Sequence, residues 1–136
     1  MLSFFPLLAI LWIAYNLLLL VSPNLPALLG ETLFNVPLPS DAIWNVKVSD
    51  IFITIGLITL YIEVFKATRT STVSVVDHSL SMLVFVAFLI EFLIVPGAGT
   101  SVFFLLMIMS LIDVIAGFTV SIVSARRDFG IGRVSE

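Results

Sequence analysis

The sequence predicts an all-α membrane protein: an antiparallel four-transmembrane-helix bundle with a small extracytoplasmic β-hairpin or loop between helices one and two. Three observations predict it. Of 136 residues, 60 % are hydrophobic and only 11 % charged, where soluble domains carry about a quarter charged residues; the mean hydropathy is +1.24. Four apolar runs of span length are separated by prolines, glycines and charges. The basic residues fall almost entirely on one side of the membrane that these runs define. A water-soluble fold of this size has too few charges to cover so much apolar surface, so lipid is its expected solvent.

The first run covers 2–21. It lacks a basic leading region, and Ser22-Pro23-Asn24 is not a small-x-small cleavage site, so it reads as a retained helix rather than a signal peptide. The outer segment, 22–47, opens with Pro23 and Pro26, which end or kink that helix. From Thr32 the pattern changes. Leu33-Phe34-Asn35-Val36 and Ile43-Trp44-Asn45-Val46 flank Pro39-Ser40-Asp41, which reads as a β-hairpin with Pro37 on an edge. The alternative is an irregular loop with a short interfacial helix at 25–29. Phe34 and Trp44 suit the interfacial zone. A lone hairpin is marginal in water, so this one is expected to lean on the bilayer or on a neighbouring subunit.

The second run, 48–66, starts with Ser49 and Asp50 as N-cap candidates and closes at Lys66. The third, 75–95, stops at Pro96-Gly97. The four residues Pro96-Gly97-Ala98-Gly99 then leave room only for an antiparallel neighbour. The fourth run, 100–125, stops at Arg126-Arg127, leaving a tail of 126–136. Lys66 and Arg69 lie between runs two and three, and Arg126, Arg127 and Arg133 in the tail, against Lys47 alone on the other side. The positive-inside bias therefore puts both termini in the cytoplasm.

Composition also excludes chemistry. With no cysteine, there are no disulfides, thiol nucleophiles, iron–sulfur ligands or Cys-based zinc sites. One histidine is too few for a His-rich metal site, and the spacing of carboxylates and His found in di-metal bundles is missing. No Gly-x-Ser-x-Gly elbow or phosphate-cradling glycine loop occurs. No cofactor and no metal are expected. Three arginines in a short tail suit anionic headgroups rather than nucleic acid; Lys66, Arg69, Arg126 and Arg127 are the expected membrane-surface anchors.

Each helix carries one face too polar or too small for lipid. On the second, Gly56, Thr59, Glu63 and Lys66 share a face; on the third, Asp77, Ser81 and Glu91; on the fourth, Ser110, Asp113, Gly117, Ser121 and Ser124; on the first, Ala9, Trp12 and Asn16. Asn16, Gly56, Ser110, Gly117 and Ser121 are the expected packing positions, with Gly117-x-x-x-Ser121 a close helix contact. The ionisable set is Glu63, Asp77, His78, Glu91 and Asp113.

Three readings of that set stay open. In the first, the polar groups lock the bundle: Glu63 pairs with Lys66, Asp77 caps the third helix, His78 faces headgroups, and Asp113 is protonated or bonded to Asn16 or a serine. In the second, Asp113 and Glu63 are proton or cation sites. In the third, Asp77, His78 and Glu63 form an acid–base set, although adjacent helical residues point about 100° apart.

Pro39-Ser40-Asp41-Ala42-Ile43-Trp44, Lys66-Ala67-Thr68-Arg69-Thr70, Asp77-His78-Ser79-Leu80-Ser81-Met82, Ala116-Gly117-Phe118-Thr119-Val120 and Arg126-Arg127-Asp128-Phe129-Gly130 give the chain a resemblance. Over about 33–130 it is similar to a group of small bacterial four-helix inner-membrane proteins with no assigned activity. The resemblance implies a bacterial inner membrane and a bundle, and no reaction. The expected function is a non-catalytic accessory or scaffold subunit that assembles with copies of itself or with other membrane subunits. The alternative is a small oligomeric proton- or cation-coupled transporter or channel using Asp113 and Glu63.

Overall fold

The computed structural model describes residues 5–68 and 73–131. The described chain is mostly helical, with one small sheet. It runs α1 (Leu8–Val21), α2 (Leu25–Gly30), β1 (Thr32–Pro37), β2 (Ile43–Lys47), α3 (Val48–Ala67), α4 (Val73–Ile94), a 3-10 turn (Pro96–Ala98) and α5 (Ser101–Ile131).

Among the described residues, three helices are long and apolar enough to cross a membrane, lying within α3, α4 and α5. Their 20, 22 and 31 residues rise ~30, ~33 and ~46 Å, against a hydrocarbon core of ~30 Å. The fourth predicted span is shorter than its apolar run: α1 has 14 residues and rises ~21 Å. Pro6 is the reason. It has no N–H to donate and suits only a first turn, and the helical pattern begins there, with Ala9 N–H bonding to the Pro6 carbonyl at 3.0 Å.

The other ends differ in smaller ways. At α3, Lys47 is the N-cap; Asp50, at the third helical position, reaches back to accept its backbone N–H at 2.9 Å. At the far end, α5 runs through Arg126 and Arg127 to Ile131. Arginine is a good helix former, so charges that end a hydrophobic run need not end the helix.

Between α1 and α3 the hairpin forms in place of an irregular loop, preceded by the short helix of the alternative reading. Asn24 caps α2, accepting from Ala27 N–H at 3.3 Å, and β1 and β2 then pair antiparallel. The register sets Phe34 opposite Val46, Asn35 opposite Asn45, Val36 opposite Trp44 and Pro37 opposite Ile43, with an irregularity at Leu33. The turn closes through Asp41 N–H to Leu38 O and Leu38 N–H to Ala42 O, with Asp41 at φ 61°. Aspartate tolerates that left-handed conformation better than most residues, which is why Pro39-Ser40-Asp41 turns here.

In the bundle, α5 packs along both α3 and α4, whereas α1 touches its neighbours over much shorter stretches. The centre is aromatic. Tyr15, Phe88, Phe103 and Leu106 are fully buried, with Phe103 4.8 Å from Tyr15 and 5.2 Å from Phe88 between ring centroids. Gly56 lets α5 approach α3: a Cβ there would lie 2.8 Å from Met109 Sδ and 2.9 Å from Leu106 Cδ2.

Candidate functional site: two buried polar levels

Buried ionisable side chains gather at two levels, separated by the aromatic centre. The first lies where α3 ends and α4 begins. Glu63, only 2 % exposed, is one turn before the end of α3, a helix without breakers whose polar face points inward. One carboxylate oxygen accepts the Leu7 backbone N–H, and the other lies 2.9 Å from Lys66 Nζ. Leu7 opens α1, where the first backbone donors have no partner within the helix. A carboxylate there satisfies one donor and sits at the positive end of the helix dipole.

Lys66 is the hub of this level. Its ammonium has three protons to donate, and three oxygens surround it: Glu63 Oε2, Phe5 O at 3.3 Å and Asp77 Oδ1 at 3.5 Å. It thus ties the segment before α1 to α3 and α4. At 3.5 Å the Asp77 contact is a charge interaction rather than a good hydrogen bond, and Asp77 Oδ1 has no other partner.

Asp77 does not cap α4. The helix begins at Val73, so Asp77 stands in its second turn and turns inward to Lys66. His78 does not face the headgroups either. It is buried, with its ring over Gly117 and 6.1 Å from the Phe118 ring. A Cβ on Gly117 would lie 2.4 Å from His78 Nδ1. The close contact expected at Gly117 is therefore a seat for an imidazole. Ser121 returns its hydroxyl to Gly117 O at 3.0 Å.

Asp113, one turn before Gly117 on α5, is also buried and takes a side-chain hydrogen bond from Ser81 of α4. Ser81, not Asn16, is its partner. Glu63, Asp77 and Lys66 all lie within electrostatic reach of it. This level therefore holds two carboxyls around one ammonium and Asp113 in electrostatic reach, with His78 beside them. Ser110 is buried one turn away on α5.

The second level lies between the middle of α1 and the end of α4. Glu91 Oε2 accepts from Trp12 Nε1 at 2.6 Å and from Asn16 Nδ2 at 3.0 Å; Glu91 Oε1 is buried with no hydrogen-bond partner. Beside it, the Tyr15 hydroxyl donates to Gly97 O at 3.1 Å and shares a 2.6 Å bond with the Thr100 hydroxyl. Thr100 also caps α5, accepting from Phe103 N–H at 3.2 Å. Two residues here, Tyr15 and Thr100, were missed as partners. The Thr100-Ser101 start of an apolar run was a readable N-cap signal. Tyr15 sits between Trp12 and Asn16 and carries no sequence signal of its own.

Arg69 lies outside the described residues. Arg126 and Arg127 are exposed near the end of α5, apart from both levels. Among the described residues, no group of three or more His, Asp or Glu has the geometry to hold a metal ion.

Compared with the models of known protein families, with curated proteins and with solved structures, the chain matches none. What the two levels can do has to come from their own chemistry. Their charged and polar groups face across helix boundaries: Glu63 to α1, Lys66 to α4, Ser81 to α5, Glu91 to α1. Between them lie the fully buried apolar side chains of Phe88, Phe103 and Leu106.

Proposed function

We propose that this protein is a non-catalytic membrane component: an accessory or scaffold subunit, assembled from copies of itself or with other membrane subunits. In this reading α1 is a fourth span, both termini are cytoplasmic, and the membrane is a bacterial inner membrane. The observation that carries it is how α1 is held. The helix buries Leu8, Leu11 and Tyr15 in the common core, and buried carboxylates at two heights, Glu63 and Glu91, also bind its backbone and side chains. Groups engaged in holding helices together are poorly placed to turn over a substrate. Asp77 and His78 support the same reading, since they turn to different partners, Lys66 and Gly117.

The test is extraction of the full chain in mild detergent, followed by native mass spectrometry. A defined oligomer or a stoichiometric complex is expected. A lone monomer, with no partner recovered from the native membrane, overturns the proposal.

One observation favours a second reading, a proton or cation site. Two carboxyls share one ammonium at the first level with Asp113 in electrostatic reach, and an intramembrane carboxyl without a full set of partners is a functional candidate. Four helices are few for a pathway within one chain, so conduction would need a subunit interface. Proteoliposome flux that is unchanged by Asp113→Asn and Glu63→Gln removes this reading.

A further inference from the structure

The hairpin has two unlike faces. Alternation along the strands puts Phe34, Val36, Trp44 and Val46 on one face and Asn35, Asn45, Pro37 and Ile43 on the other. At its root, where β2 runs directly into α3, the first face is inside the protein: Val46 is 4 % exposed. Across the strand from Val46 and further out the same face is uncovered, with Phe34 53 % and Trp44 51 % exposed. The tip adds Leu38, also exposed. An apolar surface thus begins against the protein body and continues past its edge.

The chain fixes where that surface lies. Lys47 ends β2 and Val48 begins α3 with no intervening residue, and Val48 N–H bonds back to Glu31 O at 3.1 Å. Both strands are therefore rooted within one residue of the point where a membrane-length helix starts. We propose that the hairpin is a membrane-surface binding element, laying Phe34, Val36, Trp44 and Leu38 on the boundary between headgroups and acyl chains, with Asn35 and Asn45 toward water.

Size decides between lipid and a second copy of the chain. A fully buried aromatic side chain covers about 150–250 Å². Two half-exposed aromatics with Val36 and Leu38 therefore offer on the order of a few hundred Å², whereas a stable protein interface needs about 800 Å² from each partner. Lipid needs no matching surface. Trp and Phe are also the residue types whose free energy is lowest at that boundary or just below it. The proposal rests on α3 crossing the membrane, and does not depend on which side the hairpin occupies.

The described chain contains no cysteine, and none occurs in the whole sequence, so a single introduced cysteine carries a single spin label. Phe34→Cys and Trp44→Cys report on the apolar face, Asn35→Cys and Asn45→Cys on the other. Ile58→Cys, exposed in the middle of α3, reports whether that helix is in lipid. The full-length variants are reconstituted in phosphatidylethanolamine–phosphatidylglycerol vesicles, and relaxation by oxygen is compared with relaxation by a water-soluble nickel chelate. Labels at 34 and 44 are expected to favour oxygen several-fold, and labels at 35 and 45 the chelate. If 34 and 44 favour the chelate while 58 favours oxygen, the hairpin stands in water and the proposal fails alone. If 34 and 44 are shielded from both reagents, protein covers the face and the proposal also fails. If 58 favours the chelate, the membrane placement of α3 fails, and the hairpin proposal with it.

Discussion

Glu63 and Glu91 are both carboxylates that hold α1, and they differ in what they leave behind when removed. Glu91→Ala strands the Trp12 indole N–H and leaves the Asn16 amide only its bond to Trp12 O, a loss of about 1–3 kcal/mol per unsatisfied buried group. Glu91→Gln keeps an acceptor oxygen and should lose less. Thermal unfolding in detergent should therefore rank wild type above Gln above Ala, with a shift in tryptophan emission for Ala. The glycines give a second comparison. Gly117→Ala drives a methyl into a stiff imidazole ring, whereas Gly56→Ala meets the flexible ends of Met109 and Leu106. Overpacking costs about 1–3 kcal/mol, so Gly117→Ala should lower the unfolding temperature more than Gly56→Ala. The small-residue stripe on α5 was legible because its spacing alone implies close approach. The seat of His78 was not, because it depends on which residue of another helix arrives opposite, and no pattern within one helix encodes that.

Among the elements, α1 is the one that buried carboxylates tie in at two heights, in addition to Leu8, Leu11 and Tyr15 in the core. Replacing both Glu63 and Glu91 by alanine should raise amide hydrogen exchange across Leu8–Val21 by tenfold or more and leave the centre of α5 protected. Equal loosening of both helices would mean that the carboxylates stabilise the whole bundle and do not specifically hold α1. The extents of α3 and α4 were readable to within about one turn, since long apolar runs bounded by charges and prolines leave few alternatives. The ends of α1 and α5 were not. Phe5 belongs to the hydrophobic run without belonging to the helix, and Arg126-Arg127 end the hydrophobic run without ending the helix. Hydropathy reports the solvent a segment prefers; hydrogen-bond geometry decides where its helix stops. The turn at Pro39-Ser40-Asp41 was legible for the opposite reason, because its backbone requirement is local and the residue types meet it.

For the molecule as a whole, assembly and ionisation should separate. Asp113→Asn keeps a side chain of the same size able to pair with Ser81, so the oligomer seen by native mass spectrometry should persist. Gly117→Leu forces α4 and α5 apart and should reduce both the folded yield and the oligomer. If Asn at 113 instead dissolves the assembly, the charge itself is part of the contact between subunits. None of this architecture needed a motif to predict it. Composition and the placement of six cations pointed to the membrane, whereas the pairing of carboxylates with particular donors emerged only in three dimensions.

The shortness of α1 has a consequence for the surrounding lipid. With α1 as the proposed fourth span, its helix rises ~21 Å against a hydrocarbon core of ~30 Å, so the acyl chains on that flank would be either compressed or met by irregular backbone around Phe5–Leu7 and by α2. Compressing a bilayer costs a fraction of a kcal/mol for each ångström of mismatch, and two such flanks that face each other share the deformed region instead of each maintaining its own. Elastic strain in the bilayer would then draw copies of this protein together at α1, without a single specific contact between them.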